Sequence, residues 1–304
     1  MSAEGPVPGD PPRPPADSGL VIVDKPQGLT SHDVVARIRR LAGTRRVGHA
    51  GTLDPMATGV LVVGVEKATR LLGHLALVDK EYLATIRLGQ VTDTDDADGT
   101  VISHAPAADV SAETLYAAIA GLTGEIQQVP PGVSAIKVGG QRAYRLARAG
   151  SAPRLAARTV TVRAFSVSDV RPLGDVLDVD VTVTCSSGTY IRALARDLGA
   201  ALGVGGHLRY LRRSRVGRYG IDAARTLDQL ASAFAVLPLA DAAAAAFPRR
   251  DLTDEEARRI AHGRPLTAAG LGPGPVAVFG RDGSLLALVS EEEGQARPLA
   301  VFVP

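Results

Sequence analysis

The stretch "GHAGTLDPMATG", from Gly48 to Gly59, carries a single carboxylate, Asp54, in a loop punctuated by glycines. Acid/base pairs, metal cages and hydrolytic triads all need partner residues of a defined type close to the carboxylate. The loop itself supplies neither a second carboxylate nor a cysteine. The chemistry available to Asp54 therefore depends on residues that other parts of the chain bring to it.

A partner for Asp54 is available in a second turn, "CSSGTYIRALARDLG", which contains Arg192. A buried aspartate needs an opposite charge to stay ionised, and Arg192 is the well-placed residue of that kind in this turn. Two hypotheses remain open on this chemistry alone. In one, the ionised Asp54 is a nucleophile or an electrostatic support at an anomeric carbon. In the other, the two residues form a structural ion pair between two loops.

Other constellations fail on residue type or spacing. If Gly99 of "DTDDADG" took the sixth place of an EF-hand loop, Thr94 and Ala105 would stand where that loop needs Asp and Glu. "GVGGH", residues 203–207, lacks both the dinucleotide-binding spacing and the lysine of a P-loop, and predicts a turn after a helix. The six histidines have no metal-binding spacing, and the chain has no G-x-S-x-G motif.

Composition indicates an ordinary globular protein of 304 residues, 45% hydrophobic and 22% charged. The Pro-rich residues 1–18 lack the basic and apolar regions of a signal peptide and predict a disordered tail. No apolar run approaches the ~18 residues that a membrane span needs, so we expect a cytoplasmic protein. The single cysteine, Cys185, excludes an internal disulfide and a thiolate cluster.

Arginines occur in three clusters although the net charge is only +2. Guanidinium groups present a rigid fork of donors that suits phosphates, so the clusters favour a nucleic-acid partner. A solvated helix face is the alternative for any one cluster. The clusters are Arg37, Arg39, Arg40, Arg45 and Arg46; Arg142, Arg145 and Arg148; and Arg209, Arg212, Arg213, Arg215 and Arg218.

Strand and helix patterns are interleaved along the chain without a regular βαβ repeat. Period-two alternation predicts strands such as "EYLATIRLG" and "LDVDVTVTC", and helical periodicity predicts helices near 111–122, 189–202 and "TDEEARRIAHG". A further helix in "TSHDVVARIRRLAG" is predicted to have Ser31 as its N-cap and to stop at Gly43. We therefore predict an α+β fold, with a body over residues 19–245 and a small β domain over residues 250–304.

Several long segments match one known family, in the same order and over nearly all of residues 19–218. They are "DKPQGLTSHDVV", "GHAGTLDPMATGVLVVGVEKATRLL", "KEYLATIRLGQVTDTDDADG", "VPPGVSAIKVGGQRAYRLARAG" and "CSSGTYIRALARDLGAALGVGGHLRYLRR". They resemble the bacterial TruB-type tRNA pseudouridine-55 synthases. The resemblance implies a mixed, largely antiparallel sheet flanked by helices. It also implies isomerisation of a uridine in the TΨC loop of tRNA, without metal or cofactor.

The resemblance carries over catalytic roles to three positions. Asp54 matches the family's nucleophile, Tyr82 its active-site tyrosine, and Arg192 the arginine paired with the nucleophile. A uridine in a folded loop must be extruded before an enzyme reaches C1′ or C6, and aromatic stacking holds such a base. Tyr82 would stack on the uracil and assist proton removal from C5. Attack at C1′, attack at C6 and a glycal route all remain open for Asp54.

Four further positions match substrate-binding features of the family. His49 would fill the space that the flipped nucleotide leaves, and Tyr190 and Leu211 would line the uridine pocket. Lys25 belongs to a "KPxG" turn that packs beside the catalytic loop. One departure is Val133, which stands where the family often has an aromatic residue.

Residues 250–304 resemble the PUA-like appendage of these enzymes through a "GRPL" turn and a strand pattern. The resemblance implies the tRNA T stem-loop as partner, no obligate protein partner and a monomer. Two alternatives were weighed against a stand-alone tRNA pseudouridine synthase. One is a guide-RNA-dependent relative with the same active-site residues, and the other is a non-catalytic RNA-binding or RNA-folding protein.

Overall fold

The computed structural model describes residues 17–132, 137–138, 141–142, 155–272 and 274–303. Some expectations fall outside the described residues. They concern the tail over residues 1–16, the departure at Val133, and the side chains of Arg142, Arg145 and Arg148.

A ten-stranded sheet forms the body. Its strands are β1 (Gly19–Lys25), β2 (Val47–Ala50), β3 (Thr58–Val65), β4 (Lys80–Leu88), β7 (Gly124–Gln128), β10 (Arg158–Leu173), β11 (Val176–Cys185), β12 (Gly206–Val216), β13 (Tyr219–Gly220) and β14 (Leu237–Pro238). The order is β14-β1-β3-β12-β4-β11-β10-β7, with β13 added to β12 and β2 to β3. Neighbouring strands of this sheet are antiparallel except β3 and β12, which run parallel where Thr58 and Gly59 face Arg212 and Arg213.

Nine further strands of the described residues lie outside this sheet. Two hairpins pair β5 (Gln90–Thr92) with β6 (Val101–His104) and β8 (Lys137–Val138) with β9 (Gln141–Arg142). The C-terminal sheet consists of β15 (Arg249–Asp251), β16 (Leu266–Thr267), β17 (Pro275–Phe279), β18 (Leu285–Glu292) and β19 (Gln295–Val301). The order of its five strands is β15-β17-β18-β19-β16.

Seven α-helices are present in the described residues, together with the 3₁₀ helices Glu66–Leu71 and Ile221–Ala223. The α-helices are α1 (Ser31–Ala42), α2 (Leu72–Leu75), α3 (Ala112–Gly121), α4 (Ile191–Ala201), α5 (Leu227–Ser232), α6 (Leu239–Ala246) and α7 (Asp254–Ala261). None of them is long and apolar enough to cross a bilayer.

The two halves of the large sheet are covered differently. Around β1 and β3 both faces are buried: Val21 and Leu61 pack towards α1 and α5, whereas Leu20 and Val60 face the opposite side. Around β4 and β11 one face packs on α3 and α4, as the alternation predicts, and Cys185 is a buried core residue. The other face of β4 and β11 is polar and partly open to solvent. The alternation in "LDVDVTVTC" arises from this one-sided burial.

The C-terminal sheet packs directly on the body. Phe279, Leu288 and Phe302 share one apolar cluster with Leu20 and Val60. Polar contacts reinforce the junction, since the Lys67 ammonium donates to the Phe302 carbonyl at 3.0 Å. Burial of this apolar surface stabilises the contact between the two parts.

The N-cap of helix α1 lies one residue earlier than predicted. Thr30, not Ser31, is the N-cap: its hydroxyl accepts from the backbone N–H of Asp33, and the Asp33 carboxylate accepts from the backbone N–H of Thr30. This reciprocal capping box satisfies two N–H groups that the first turn leaves unpaired. The prediction of Ser31 was wrong because both residues are good caps and only the backbone conformation separates them. Gly43 ends the helix in the left-handed conformation, as predicted.

Candidate active site

A cavity of about 280 Å³ opens where β4, β12, the first turn of α4 and the loop after β2 meet. Asp54, Tyr82, Tyr190, Arg192 and Leu211 all line it. The sequence predicted these five residues to belong to one site, and the fold brings them together. His49 and Lys25 lie next to the cavity-forming loop but are not part of the lining.

The backbone on both sides of Asp54 is held by the "DKPQGLTS" segment. The Ser31 hydroxyl accepts from the Leu53 N–H at 2.9 Å and lies 3.2 Å from the Leu53 carbonyl oxygen. The Pro55 carbonyl accepts from the Gly28 N–H at 2.8 Å. Leu53 itself is buried in the core. A loop pinned at its flanks holds the Asp54 carboxylate in one place, as a reacting group requires.

Lys25 lies beneath this loop. Its ammonium donates to the carbonyl oxygens of Leu29 at 2.7 Å, Pro26 at 3.0 Å and Pro55 at 3.3 Å. Burial is the main reason that the pKa of Lys25 falls to about 8, and the nearby Asp54 charge opposes the shift. These contacts tie the "KPxG" turn to the residue that follows Asp54.

Burial is divided unequally between Asp54 and Arg192. The Arg192 side chain is 4% exposed, whereas Asp54 is 38% exposed, and Arg192 Nη2 lies 3.0 Å from Asp54 Oδ2. The arginine is therefore the buried partner, and the aspartate faces the cavity. Arg192 Nη1 also donates to the Thr94 carbonyl at 3.0 Å and lies 3.4 Å from Asp96 Oδ2.

The first turn of α4 is anchored by a buried glutamine. The Gln128 side-chain oxygen accepts from the Tyr190 N–H at 2.8 Å, and its amide nitrogen donates to the Tyr190 carbonyl at 3.2 Å. Tyr190 is the N-cap residue of α4, and Arg192 follows two residues later. The glutamine thereby fixes the position from which both side chains reach the cavity.

Tyr82 and Leu211 enter the cavity from neighbouring strands. Both are almost fully buried, and Leu211 faces Ala84 across β12 and β4. Burial raises the pKa of the Tyr82 phenol, so its hydroxyl stays protonated at neutral pH. The two side chains form an apolar wall beside the Asp54 carboxylate.

His49 lies at the end of β2, two residues before the cavity-lining Gly51. Its ring makes an edge contact with His32, with ring centroids 5.6 Å apart. Burial, with the nearby His32 and Arg213 charges, lowers the pKa of His49 to about 4, so the ring is neutral at pH 7. Its Nδ1 is buried and makes no hydrogen bond within the described residues.

Three charged residues of the site escaped the sequence reasoning, namely Asp96, Lys80 and Arg213. Asp96 belongs to "DTDDADG", a stretch that does not fit a calcium loop and that lies in one of the family-matching segments; its carboxylate pairs with Arg192. Lys80 and Arg213 line the cavity. Lys80 lies two residues before Tyr82 in β4, and side chains two residues apart on a strand point to the same face. This spacing could have placed Lys80 on the inward face together with Tyr82. No group of metal-binding side chains occurs in the described part of the chain.

The first and third arginine clusters differ in the structure. In the first, Arg37, Arg40 and Arg45 are exposed and form no ion pair within the described residues. In the third, Arg213 is buried, and the other members except Arg218 are paired with carboxylates: Arg209 with Asp178, Arg212 with Asp24 and Arg215 with Glu81. The prediction that Arg213 belongs to a phosphate-binding surface is therefore wrong.

The fold has been seen before in a chain of an H/ACA RNP. A chain in the solved structure of an H/ACA RNP bound to a substrate RNA containing 2'-deoxyuridine matches with a TM-score of 0.70 and 28% identity. The match covers 94% of this chain and 85% of that one. The α+β fold with a catalytic body and a small C-terminal β domain is thus confirmed as a known architecture.

Family models cover the chain from Arg39 to Val303. The TruB family pseudouridylate synthase N-terminal domain matches residues 39–191, the tRNA pseudouridylate synthase B C-terminal domain 192–244, and the tRNA pseudouridine synthase II C-terminal domain 247–303. The chain belongs to the TruB family of pseudouridylate synthases, as the sequence motifs predicted.

Two relatives, both named tRNA pseudouridine synthase B, match nearly full length. The protein from Thermobifida fusca is 62% identical over 93% of this chain and 98% of its own length. The protein from Streptomyces griseus is 60% identical over 93% of this chain and 97% of its own length.

Proposed function

We propose that this protein converts uridine 55 in the T loop of tRNA to pseudouridine. Two relatives of 60% and 62% identity are named tRNA pseudouridine synthase B, and both align over almost their entire length. The observation in the structure that carries the proposal is the Asp54–Arg192 pair, in which a half-exposed carboxylate faces a cavity and a buried guanidinium supports it.

Asp54 is the nucleophile in this proposal. A carboxylate can attack only if an oxygen is accessible, and the Asp54 side chain is open to the cavity while its loop is fixed at Leu53 and Pro55. Arg192 orients the carboxylate without covering it, because Arg192 Nη2 lies 3.0 Å from Asp54 Oδ2 while the Asp54 side chain stays 38% exposed. Accessible charge on a rigid loop favours the nucleophile over the structural ion pair.

The substrate uridine must leave the RNA loop to reach Asp54. We propose that the flipped base stacks on Tyr82 and is held by Leu211 and Tyr190, all of which line the cavity. Tyr82 assists proton removal from C5 at the end of the reaction. The neutral ring of His49, beside the cavity-forming loop, fills the space in the RNA loop that the uridine leaves.

The protein is proposed to act as a monomer in the cytoplasm, without an obligate protein partner or guide RNA. The likeness to the H/ACA RNP chain keeps a guide-dependent synthase as the second candidate, at 28% identity. The much higher identity to the tRNA pseudouridine synthase B relatives favours the stand-alone enzyme.

The test uses purified protein and an unmodified T stem-loop, in chelator and without nucleotide. We expect one uridine per stem-loop to become pseudouridine, read out by the reverse-transcription stop that a carbodiimide adduct produces. A stem-loop with cytidine at the target position is the matched control. Product that forms only with an added guide RNA would favour the second candidate, and tight binding without product would favour a non-catalytic RNA-binding protein.

A further inference from the structure

Three cations are buried around the Asp54 loop without a carboxylate partner. Lys25, Lys80 and Arg213 are 0%, 5% and 1% exposed, and none of them forms an ion pair within the described residues. Burying a charge without a counter-ion costs free energy, so such a charge needs an explanation beyond stability. For Lys25 the explanation is its three carbonyl acceptors, which lie outside the cavity. Lys80 and Arg213 both line the cavity.

Lys80 stands at the start of β4 on the inward face. Its ammonium donates to the carbonyl oxygens of Ala76 and Val78, both at 2.6 Å. An ammonium carries three N–H bonds, and these two carbonyls are its acceptors among the described residues. Burial, with the neighbouring Arg213 charge, lowers the pKa of Lys80 to about 8, so the side chain is charged at neutral pH.

Arg213 lies directly opposite Tyr82 in the register of β12 and β4. Its Nε donates to the Val60 carbonyl at 2.7 Å and its Nη2 to the Gly51 carbonyl at 2.9 Å. The nearby guanidinium charge opposes the rise that burial causes in the pKa of the Tyr82 phenol. Arg213 is thereby fixed between the loop that carries Asp54 and the aromatic ring proposed to stack on the uracil.

Positive charge exceeds negative charge around the cavity. The lining of the cavity contains the cations Lys80, Arg192 and Arg213 and the carboxylate Asp54, so three positive charges face one negative charge. Arg192 pairs with Asp54 and also with Asp96. The surplus positive charge at the cavity is therefore carried by Lys80 and Arg213, which form no ion pair within the described residues.

We propose that Lys80 and Arg213 stabilise the negative charge that the uracil ring gains during isomerisation. The inference rests on the proposed function and deepens it by assigning the electrostatic groups of the same site. Fixed cations in a water-poor cavity act strongly on charge that develops in a transition state.

The charge on the ring follows from electron balance in each of the three open routes. If Asp54 attacks C1′, the new C–O ester is neutral and the C1′–N1 electron pair leaves with the uracil. If Asp54 instead takes a proton from C2′, the same pair leaves with the uracil as the glycal forms. If Asp54 adds to C6, the displaced π electrons make an enolate through C5 to O4. The ring is anionic in all three until C5 bonds to C1′. In the first route this bond expels Asp54 from C1′, and in the second Asp54 returns its proton to C2′ as the bond forms. In the third route the C1′–N1 pair stays on N1, which is then protonated, and loss of the C5 proton expels Asp54 from C6. In the first two routes the C5 proton finally moves to N1.

A backbone phosphate is the other anion that RNA could offer to these cations. Phosphates stay on the outside of an RNA loop, whereas a flipped base enters the pocket. Lys80 and Arg213 are both deep in the wall of the cavity rather than at its rim. Their depth favours the base over the phosphate, and the two assignments predict different kinetic effects.

The decisive variant is Lys80→Gln, because the side-chain amide can still donate to the Ala76 and Val78 carbonyls but carries no charge. We expect the single-turnover rate to fall about 10²- to 10³-fold, as when one donor to a developing anion is removed. The affinity for the T stem-loop and the melting temperature should stay close to those of the wild type. Lys67→Met is the matched control, since it removes a lysine–carbonyl contact far from the cavity and should leave the rate unchanged.

Comparison with Lys80→Met separates charge from scaffolding. If Lys80 is only a scaffold for the two carbonyls, Lys80→Gln should be nearly as active as the wild type while Lys80→Met is impaired, and the inference would be overturned. If Lys80 stabilises the ring anion, both variants should be slow. Weakened RNA binding with an unchanged rate would assign Lys80 to a phosphate and would also overturn it.

A modified substrate tests the same negative charge on the uracil ring. This test does not depend on a single variant that could fold poorly. In a stem-loop with 5-fluorouridine at the target position, fluorine itself stabilises the ring anion. We expect the defect of Lys80→Gln, and of Arg213→Gln, to be smaller for loss of 5-fluorouridine than for loss of uridine. An equal defect on both substrates would contradict the inference. If the wild-type protein forms no pseudouridine at all, the proposed function fails first, whereas an active wild type with an equally active Lys80→Gln overturns the inference alone.

Discussion

Two aspartate–arginine pairs of this protein have similar contact distances but differ in which partner is buried. In Asp178–Arg87, on the outer face of β11 and β4, the carboxylate is 5% exposed and the guanidinium 16%. Both carboxylate oxygens accept from Arg87, at 2.7 and 2.8 Å. In Asp54–Arg192 the arginine is the buried partner, 4% exposed, and the aspartate is 38% exposed and lines the cavity.

The difference lies in which member of the pair is free to react. A buried carboxylate such as Asp178 cannot approach a substrate, whereas a carboxylate that is exposed at a cavity, such as Asp54, can. Asp178 also has Arg209 at 3.7 Å, which adds to its enclosure. The distribution of burial between the partners thus distinguishes a structural ion pair from a candidate nucleophile better than the contact distance does.

Replacing Asp178 should have the largest effect on stability. Asp178→Asn removes the charge that compensates Arg87, and we expect the free energy of unfolding to fall by about 3 kcal/mol, as for breaking a largely buried pair. The single-turnover rate per folded molecule should not change, because the pair lies on the face of the sheet away from the cavity. Chemical denaturation combined with the T stem-loop assay measures both quantities.

A matched control is Asp169→Asn, in the exposed pair with Arg171. An exposed ion pair contributes ~1 kcal/mol or less, so this variant should unfold nearly like the wild type. Equal destabilisation of the two variants would mean that burial of Asp178 does not set the strength of its pair.

Asp96 connects the two kinds of pair, because it is buried like Asp178 but contacts the arginine of the active site. Asp96→Asn should therefore lower both stability and rate. We expect the rate to fall about 10- to 100-fold, or ~1.4–2.7 kcal/mol of barrier, since Arg192 loses one of its two anionic partners. A loss of stability with an unchanged rate would show that Asp96 belongs with Asp178 as a purely structural residue.

The arginine clusters show the same contrast between free and paired charges. Replacing their arginines should have the smallest effect of the changes considered, and this effect should be on tRNA binding. Replacing Arg37, Arg40 and Arg45 by glutamine should weaken tRNA binding modestly and reduce its salt slope, by about one for each phosphate that the variant no longer neutralises. Replacing Arg209, Arg212 and Arg215, which are already paired, should leave the slope unchanged. Binding isotherms at several salt concentrations test this, and equal slopes for the two triple variants would contradict it.

Local patterns predicted most of the fold. The alternation of "EYLATIRLG" and "LDVDVTVTC" predicted β4 and β11, and the periodicity of "TSHDVVARIRRLAG" predicted α1, because these signals act between neighbouring residues. Family motifs located the members of the site. The parallel contact of β3 with β12 joins residues that are far apart along the chain, such as Thr58 and Arg212, and no local signal specifies such a pairing.

What the sequence could not predict is the burial of charged side chains. Lys80 and Arg213 look like surface cations in the sequence, and Arg213 sits in a run of arginines that resembles a phosphate-binding surface. Whether such a residue turns inward depends on strand register and on carbonyl acceptors supplied by distant segments, such as Val60 and Gly51 for Arg213. The exposure of Asp54 likewise depends on tertiary packing.

The role of Asp54 as nucleophile is tested by comparing Asp54→Asn with Asp178→Asn in three parallel measurements: free energy of unfolding, T stem-loop affinity and single-turnover rate. Asp54→Asn keeps the size of the side chain and removes the anionic oxygen. It should abolish pseudouridine formation while stability stays near that of the wild type and affinity stays within about tenfold, or ~1.4 kcal/mol. A stable, binding-competent Asp54→Asn protein that still forms pseudouridine at a near wild-type rate would contradict this role. So would destabilisation like that of Asp178→Asn with the rate per folded molecule preserved.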